Sequence, residues 1–457
     1  MVHDARIRHF AGILPEGGRY VLYWMQQAQR IRCNHALVFA GERARDLGLP
    51  VVVGFVVTPG FPEAVYRHYR FMLEGIAEVQ AALGRMDVPF VIRVGEMVES
   101  VLSMAEGAAW VVTDAGYLRI QRQWRTAVEQ SLRCPYTEVE TDVVVPVAVA
   151  SDKAEYAART LRPKLMRQVE AFSGVVDFPA SAAQGSTSGI EASGPIDPED
   201  LAARVSSRRG MDDTLVLRGG YTEARRLLED FIRKHLGDYN TLGREPAAGC
   251  RSDLGAYLHF GQIAPVEILA AVEAADAPAD AKEAFVEQLV VRRELAINFV
   301  YFNKGYDRYE SAVPGWAKRT LADHENDERP YRYSPEEFEA GRTHDPYWNA
   351  AQAEMVSTGK MHNTMRMYWG KKIIEWTENP GQAYDIMLAL NNRYETDGRD
   401  ANGFAGVAWC FGLHDRPWKE REIFGKVRYM NAAGLKRKYR IGEYVRAQLG
   451  DAAEDLS

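Results

Sequence analysis

Trp369 and Trp376 stand seven residues apart in the run Gly359-Lys360-Met361-His362-Asn363-Thr364-Met365-Arg366-Met367-Tyr368-Trp369-Gly370-Lys371-Lys372-Ile373-Ile374-Glu375-Trp376. Seven residues of α-helix make nearly two turns, so both indoles project to one side, about 10 Å apart along the axis at roughly 1.5 Å per residue. That spacing is too long for ring stacking and short enough for an electron to hop. Arg366, three residues before Trp369, puts a fixed cation beside the same stripe. A core helix with space-filling tryptophans carries the same pattern, and for an isolated segment it is the simpler reading. The neighbouring motifs tip the balance.

Two further segments place polar groups for binding. Arg251-Ser252-Asp253-Leu254-Gly255-Ala256 sets a hydroxyl, small residues and backbone donors ahead of Tyr257-Leu258-His259-Phe260-Gly261-Gln262. A helix N-terminus with an arginine beside it can hold a phosphate, although Ser-Asp before a helix also serves as a plain cap. Asn391-Asn392-Arg393-Tyr394-Glu395-Thr396-Asp397-Gly398-Arg399-Asp400 concentrates amides and charges just ahead of Gly406-Val407-Ala408-Trp409-Cys410-Phe411-Gly412. Polar groups held against a buried aromatic cluster must find partners; a solvated loop has no such demand.

Hydrolytic and metal chemistry is not expected. His324-Glu325 opens like a zinc-protease motif but lacks the second histidine. His344-Asp345 and His414-Asp415 are sequence neighbours, which seldom face each other on a helix. Gly-x-Ser-x-Gly does not occur. The cysteines Cys33, Cys134, Cys250 and Cys410 form no CxxC pair, which fits a reducing compartment and argues against a zinc or disulfide framework.

The elements that must position these groups are of two kinds. Tyr20 to Met25, Pro50 to Val57, Pro89 to Val94 and Trp110 to Thr113 read as buried strands, separated by helix-period stretches such as Ala64 to Leu83. Such alternation predicts a parallel sheet covered by helices. Gln26-Gln27-Ala28-Gln29-Arg30 follows the first of these strands where a dinucleotide fold would have a Gly-rich turn, so NAD is not expected there. The expected organisation is an α/β, Rossmann-like domain over residues 1–172, a Ser/Ala/Gly/Pro-rich linker over 173–220, and a larger all-α domain over 221–457.

A chain of 457 residues suits two or three domains. Net charge is −7, yet Arg416 to Arg446 holds ten basic residues against three acidic ones, leaving −14 for the rest. That asymmetry predicts one surface for a polyanion. No apolar run approaches the length of a membrane span and no signal-peptide core opens the chain, so a soluble cytoplasmic protein is expected.

Together these segments resemble the DNA photolyase/cryptochrome flavoproteins, most specifically the class II cyclobutane pyrimidine dimer photolyases. The resemblance is carried by Tyr23-Trp24-Met25-Gln26-Gln27-Ala28-Gln29-Arg30, Thr113-Asp114-x-Gly116-Tyr117-Leu118-Arg119 and Glu140-Thr141-Asp142-Val143-Val144-Val145-Pro146. It continues through Tyr257 to Gln262, Val313-Pro314-Gly315-Trp316, Thr343-His344-Asp345-Pro346-Tyr347-Trp348-Asn349, Gly359 to Trp376, and Asp397 to Trp409, in family order.

The resemblance implies FAD, active as FADH⁻, in the helical domain. Its phosphates would lie near Ser252, Leu254 and Gly255, with Tyr239 and Arg251 close by. Arg366 and Asp397 would form a salt bridge beside the flavin ring, Asn391 would sit near the flavin N5, and Gly398 would belong to the same wall. Trp348, Trp369 and Trp376 match the family's electron-transfer tryptophans, in an order left open, with Tyr368 as a side branch. Gln288, Asn363, Met367 and Trp409 fall at the dimer pocket, and Arg292, Trp418, Lys419 and Arg428 at the DNA surface. The implied activity is light-driven splitting of dimers flipped out of UV-damaged double-stranded DNA. The N-terminal domain would hold an antenna, either a deazaflavin such as 8-HDF or a folate. A monomer, nucleoid-associated in a prokaryote, without metal or membrane, is the expected state.

Three departures stand out. Glu287-Gln288-Leu289 replaces the usual Glu-Glu-Leu, removing a carboxyl that can hydrogen-bond or protonate the lesion, so a reduced repair yield is expected. Gly255-Ala256 stands for Ser-Pro, and Thr364 for a common Tyr. The alternative reading is a cryptochrome-like blue-light receptor that retains FAD without efficient repair; the plainest is a helical nucleic-acid binder without cofactor. The basic tail and the short stretch after Ile441 favour repair.

Overall fold

The computed structural model describes residues 2–178, 189–206 and 217–450. Six strands, β1 (Ile7–Phe10), β2 (Tyr20–Met25), β3 (Val51–Val57), β4 (Phe90–Val94), β5 (Ala108–Asp114) and β6 (Tyr136–Val139), form one sheet in the order β1-β6-β5-β2-β3-β4. All neighbours run parallel except β1, which pairs antiparallel with β6. β2 and β3 are buried along their whole length because helices cover both faces, which is why they read as unbroken apolar runs. The expected strands are all present. β1 and β6, at four residues each and with Arg8, His9, Thr137 and Glu138 among them, carry too weak a pattern to be read in advance.

Helix α1 (Tyr66–Gly84) packs beside this sheet. Part of the 173–220 linker lies outside the described residues. The rest is not featureless, because Pro198–Val205 forms helix α2 against α1. Asp197 caps it, Pro198 starts it, and Leu201 and Val205, one turn apart, are buried with the sheet's apolar residues.

The remainder is helical. The elements that matter most are α3 (Gly255–His259), α4 (Pro346–Thr358), α5 (Asn363–Trp376) and α6 (Ala401–Cys410), with a π-helical stretch at Glu287–Arg292. The two parts are joined by buried polar contacts. Arg30 pairs with Asp142 at 2.8 Å and donates to the Gly261 carbonyl at 2.8 Å. Gly261 has φ of 62°, and a Cβ there would fall 2.0 Å from the Gln27 carbonyl oxygen, so the close approach requires glycine. Arg67 and His68 of α1 reach Val356 and Glu395 backbone oxygens at 2.8 and 3.1 Å. Much of the Tyr23-to-Arg30 motif is therefore docking chemistry.

Candidate active site

Helix α5 organises the site. His362 caps it, accepting the Thr364 N–H, while its own backbone N–H donates to the buried carboxylate of Glu354 at 3.1 Å. Met365, Tyr368, Trp369 and Trp376 turn into the core, and Asn363 and Met367, one turn apart, turn to a cavity.

The indoles form a continuous run in which Trp348 of α4 is the middle member. Trp348 stacks on Trp369 with centroids 6.2 Å apart and planes 10° from parallel, and meets Trp376 edge-on at 6.1 Å. Trp369 and Trp376 thus communicate through Trp348 rather than along their own helix. All three are at most 2% exposed. The Trp369 ring N–H donates to Gln352 at 2.9 Å and that of Trp348 to the Trp369 carbonyl at 3.0 Å, which fixes both rings. Beyond Trp376 lies Tyr333, edge-on at 5.5 Å with its hydroxyl 2.6 Å from His344 Nδ1. Tyr333 was not anticipated, since nothing in its local sequence points to Trp376. Tyr368 is buried with its hydroxyl on Asp345, the α4 cap; burial first, then that carboxylate, pushes its pKa up.

A cavity of about 220 Å³ is walled by Tyr239, Ser252, Leu254, Gly255, Asp397 and Gln288. Gln288 and Asn402 also line a second cavity of about 460 Å³, to which Arg292, Asn363, Met367, Trp409 and Arg428 contribute. Gln288 and Arg292 both come from the π-helical stretch, whose extra residue per turn re-aims side chains into the opening. A third cavity of about 390 Å³ holds Trp418, Lys419 and Arg428 together with Arg421, Arg437 and Lys438. Arg428 lines both the second and the third cavity, so residues far apart in sequence line three neighbouring cavities.

The remaining predicted residues stand behind the walls. Arg251 is engaged by Glu354 at 2.7 Å and Asp253 at 3.0 Å. Arg366 contacts Asp397 at 3.4 Å, but its shorter ion pair is with Glu395, at 2.9 Å. Glu395 is 1% exposed, and burial pushes its pKa up to about 8 against the pull of Arg366. Asn391 lies behind Gly403, its amide on Asn392 at 3.3 Å, and Asn402 is the asparagine on the cavity wall. Gly398 is pressed on the Asn391 carbonyl, where a Cβ would approach to 2.8 Å.

His259, Arg293, Asp400 and Asn402 also line the smaller cavity and were missed. Asp400 caps α6 and sits 3.2 Å from His259; that contact draws its pKa down against the opposing effect of burial. The Gly-Arg-Asp run before an apolar helix was the available signal.

The donor set fits a flavin dinucleotide. Arg366 Nε is buried without a hydrogen-bond partner among the described residues. At Gly255 a Cβ would fall 2.6 Å from Asp397 Oδ2, so glycine here lets that carboxylate approach the start of α3. Among the described residues no group of three or more His, Cys, Asp or Glu could hold a metal, and no helix is long and apolar enough to cross a membrane.

Comparison with known proteins agrees with this geometry. Residues 21–183 match the DNA photolyase family model. The chain is 48% identical over 447 residues to a deoxyribodipyrimidine photo-lyase of Methanothermobacter thermautotrophicus, covering 97% of this chain and 98% of that one. Its fold is similar to a class III photolyase from Agrobacterium tumefaciens, with TM-score 0.74 at 18% identity over 94% of this chain and 86% of the other. It is also similar to a Synechocystis sp. PCC6803 cryptochrome, with TM-score 0.76 at 15% identity over 96% and 91%. The chain belongs to the photolyase/cryptochrome family. Within it, the chain is an enzyme of the photo-lyase type, a flavoprotein lyase.

Proposed function

We propose that this protein is a class II photolyase that splits cyclobutane pyrimidine dimers in UV-damaged duplex DNA. The observation that carries the reading is the pair of neighbouring cavities that share Gln288 and Asn402 in their walls. One has the walls for a dinucleotide, and the other is wide enough for a flipped dinucleotide lesion and is lined by Asn363, Met367, Gln288 and Trp409. Bound FAD, as FADH⁻, supplies light absorption and the electron that opens the dimer. Trp369, Trp348 and Trp376 form a buried ring-to-ring run that would carry electrons for reduction of the flavin. Trp409 and Met367 give the lesion an apolar wall, and Asn363 and Gln288 offer amides to its carbonyl and imide edges. Arg428, Lys419 and Arg292 meet the phosphates around the extruded bases.

An antenna, 8-HDF or a folate, would enter at the partly open cavity at the carboxyl ends of β2 and β3. Open α/β sheets bind ligands in the crevice outside the carboxyl ends of their strands. Asp114 shapes its rim by accepting the backbone N–H groups of Gln26, Gln27 and Ala28. Arg399 Nη2, Gln26 Nε2 and Gln29 Oε1 are buried without partners among the described residues and belong to its lining.

The test is illumination of the reduced holoprotein with a dimer-containing duplex. Restored thymine absorbance supports repair. Bound, fully reduced flavin without restoration supports the light-receptor reading instead.

A further inference from the structure

Asn363, Met367 and Lys371 run down one side of α5 at four-residue intervals. The first two line the lesion-sized cavity and Lys371 does not. Lys371 is 1% exposed, donates to the Cys410 carbonyl oxygen, and lies 5.5 Å from the centroid of the Trp409 ring. Trp409 is part of the cavity wall, and Arg428 packs on the same indole at 5.8 Å. The next residue has a different setting: Lys372 is matched by Glu375 at 2.6 Å. No carboxylate forms an ion pair with Lys371 among the described residues. The titratable groups that face it are the Cys410 thiol, Asp415 and Arg428.

A buried ammonium without a counter-ion opposes folding, so packing alone does not explain it. A cation held against the face of an indole in a dry site acts across that ring with little screening. During dimer splitting the lesion holds one extra electron. That electron would come from the reduced cofactor and return to it once both cyclobutane carbon–carbon bonds have broken, so no proton or other reductant would be consumed.

Resting on the repair reading above, we propose that Lys371 is an electrostatic positioning residue. Its charge, acting through Trp409, favours the lesion in its transient anionic form, where the family's usual second acid is replaced by the neutral Gln288. The charge is set in place before the electron arrives, so no reorganisation is needed at that moment. Burial, reinforced by Arg428 and opposed by Cys410 and Asp415, lowers the pKa of Lys371 from 10.5 to about 8. The charge is therefore removable in a range where duplex DNA persists.

The experiment uses fully reduced holoprotein saturated with dimer-containing duplex and measures dimers repaired per absorbed photon across pH, with lesion affinity measured alongside. Wild type should lose yield at least threefold as pH rises through about 8. Lys371→Met should be low and flat with affinity within twofold of wild type, and Lys371→Arg high and flat, because arginine keeps its charge. A second readout needs no turnover. The Trp409 fluorescence of the holoprotein, taken as the difference from Trp409→Phe, should titrate near pH 8 in wild type and not in Lys371→Met. Wild-type yield and pH profile in Lys371→Met, or a loss that merely follows affinity, overturns the proposal. Where Lys371→Met does not fold, equal falls in wild type and Lys371→Arg above pH 8 overturn it. A wild-type protein that repairs nothing defeats the repair reading instead, and the fluorescence titration still reports whether Lys371 charges the indole.

Discussion

Helix α5 has two faces that solve opposite problems. On one, Trp369, Trp348 and Trp376 are buried, the first two fixed by hydrogen bonds to uncharged groups, and Lys372 is matched by Glu375. On the other, Asn363 and Met367 face an open cavity whose indole, Trp409, has Lys371 and Arg428 on its ring. A path for electrons gains from neutral, rigid, touching rings. A mouth for a polyanionic substrate gains from uncancelled positive charge and side chains that can adapt. One helix separates the two by little more than its own circumference.

The sharpest way to break this contrast is to remove rings. Trp348→Phe or Trp369→Phe should slow light-driven reduction of the bound flavin at least tenfold, read as bleaching under blue light. Repair by chemically reduced protein should stay at the wild-type level. Trp409→Phe should do the reverse, and equal effects on both faces would abolish the distinction. Since Trp348 is the shared neighbour of the other two, its loss should be no milder than that of Trp376.

Charge gives the next largest effect. Lys371→Met should raise unfolding free energy at neutral pH by about 2 kcal/mol, since a depression of this size corresponds to roughly 1.4 kcal/mol per pH unit before the lost ring and carbonyl contacts are deducted. The folded-state pKa of about 8 lies below the ordinary 10.5. The burden on the native state is therefore full below pH 8 and fades as pH rises towards 10.5. Wild-type stability should climb through that window, and the variant's should not, as measured by denaturant titration.

Smaller shifts come from the rim. Arg428→Ala and Lys419→Ala should each weaken duplex binding regardless of sequence and reduce the slope of log affinity against log salt by about one, measured by fluorescence anisotropy. Trp418→Ala, which removes 42%-exposed aromatic surface and no charge, should leave the slope alone. Gln288→Glu restores an acid at the junction of the two cavities and should raise repair per photon by no more than about threefold.

The four central strands were legible because full burial imposes unbroken β-branched runs, and most residues of the site were legible because local motifs carry them. Contacts between distant segments were not. The spacing of Trp369 and Trp376 spoke for an electron path but not for Trp348 as its middle ring, because that placement depends on how α4 crosses α5. Arg366 was paired with Asp397, yet Glu395, two residues earlier, is the closer partner; both carboxylates lie in one polar turn and only backbone direction separates them. Asn402 rather than Asn391 reaches the cavity for a similar reason. Helix α2 escaped notice inside a segment whose overall composition reads as a tether.

The Arg30–Asp142 clamp and its hold on the Gly261 carbonyl have a further consequence. Separating the halves would leave Arg30 on Asp142 but strip the Gly261, Val356 and Glu395 carbonyls of the side chains that reach them, so each half should be less stable alone than in the whole chain. Heating should melt the sheet and the helices together in a single transition, so the two halves would share one mechanical fate.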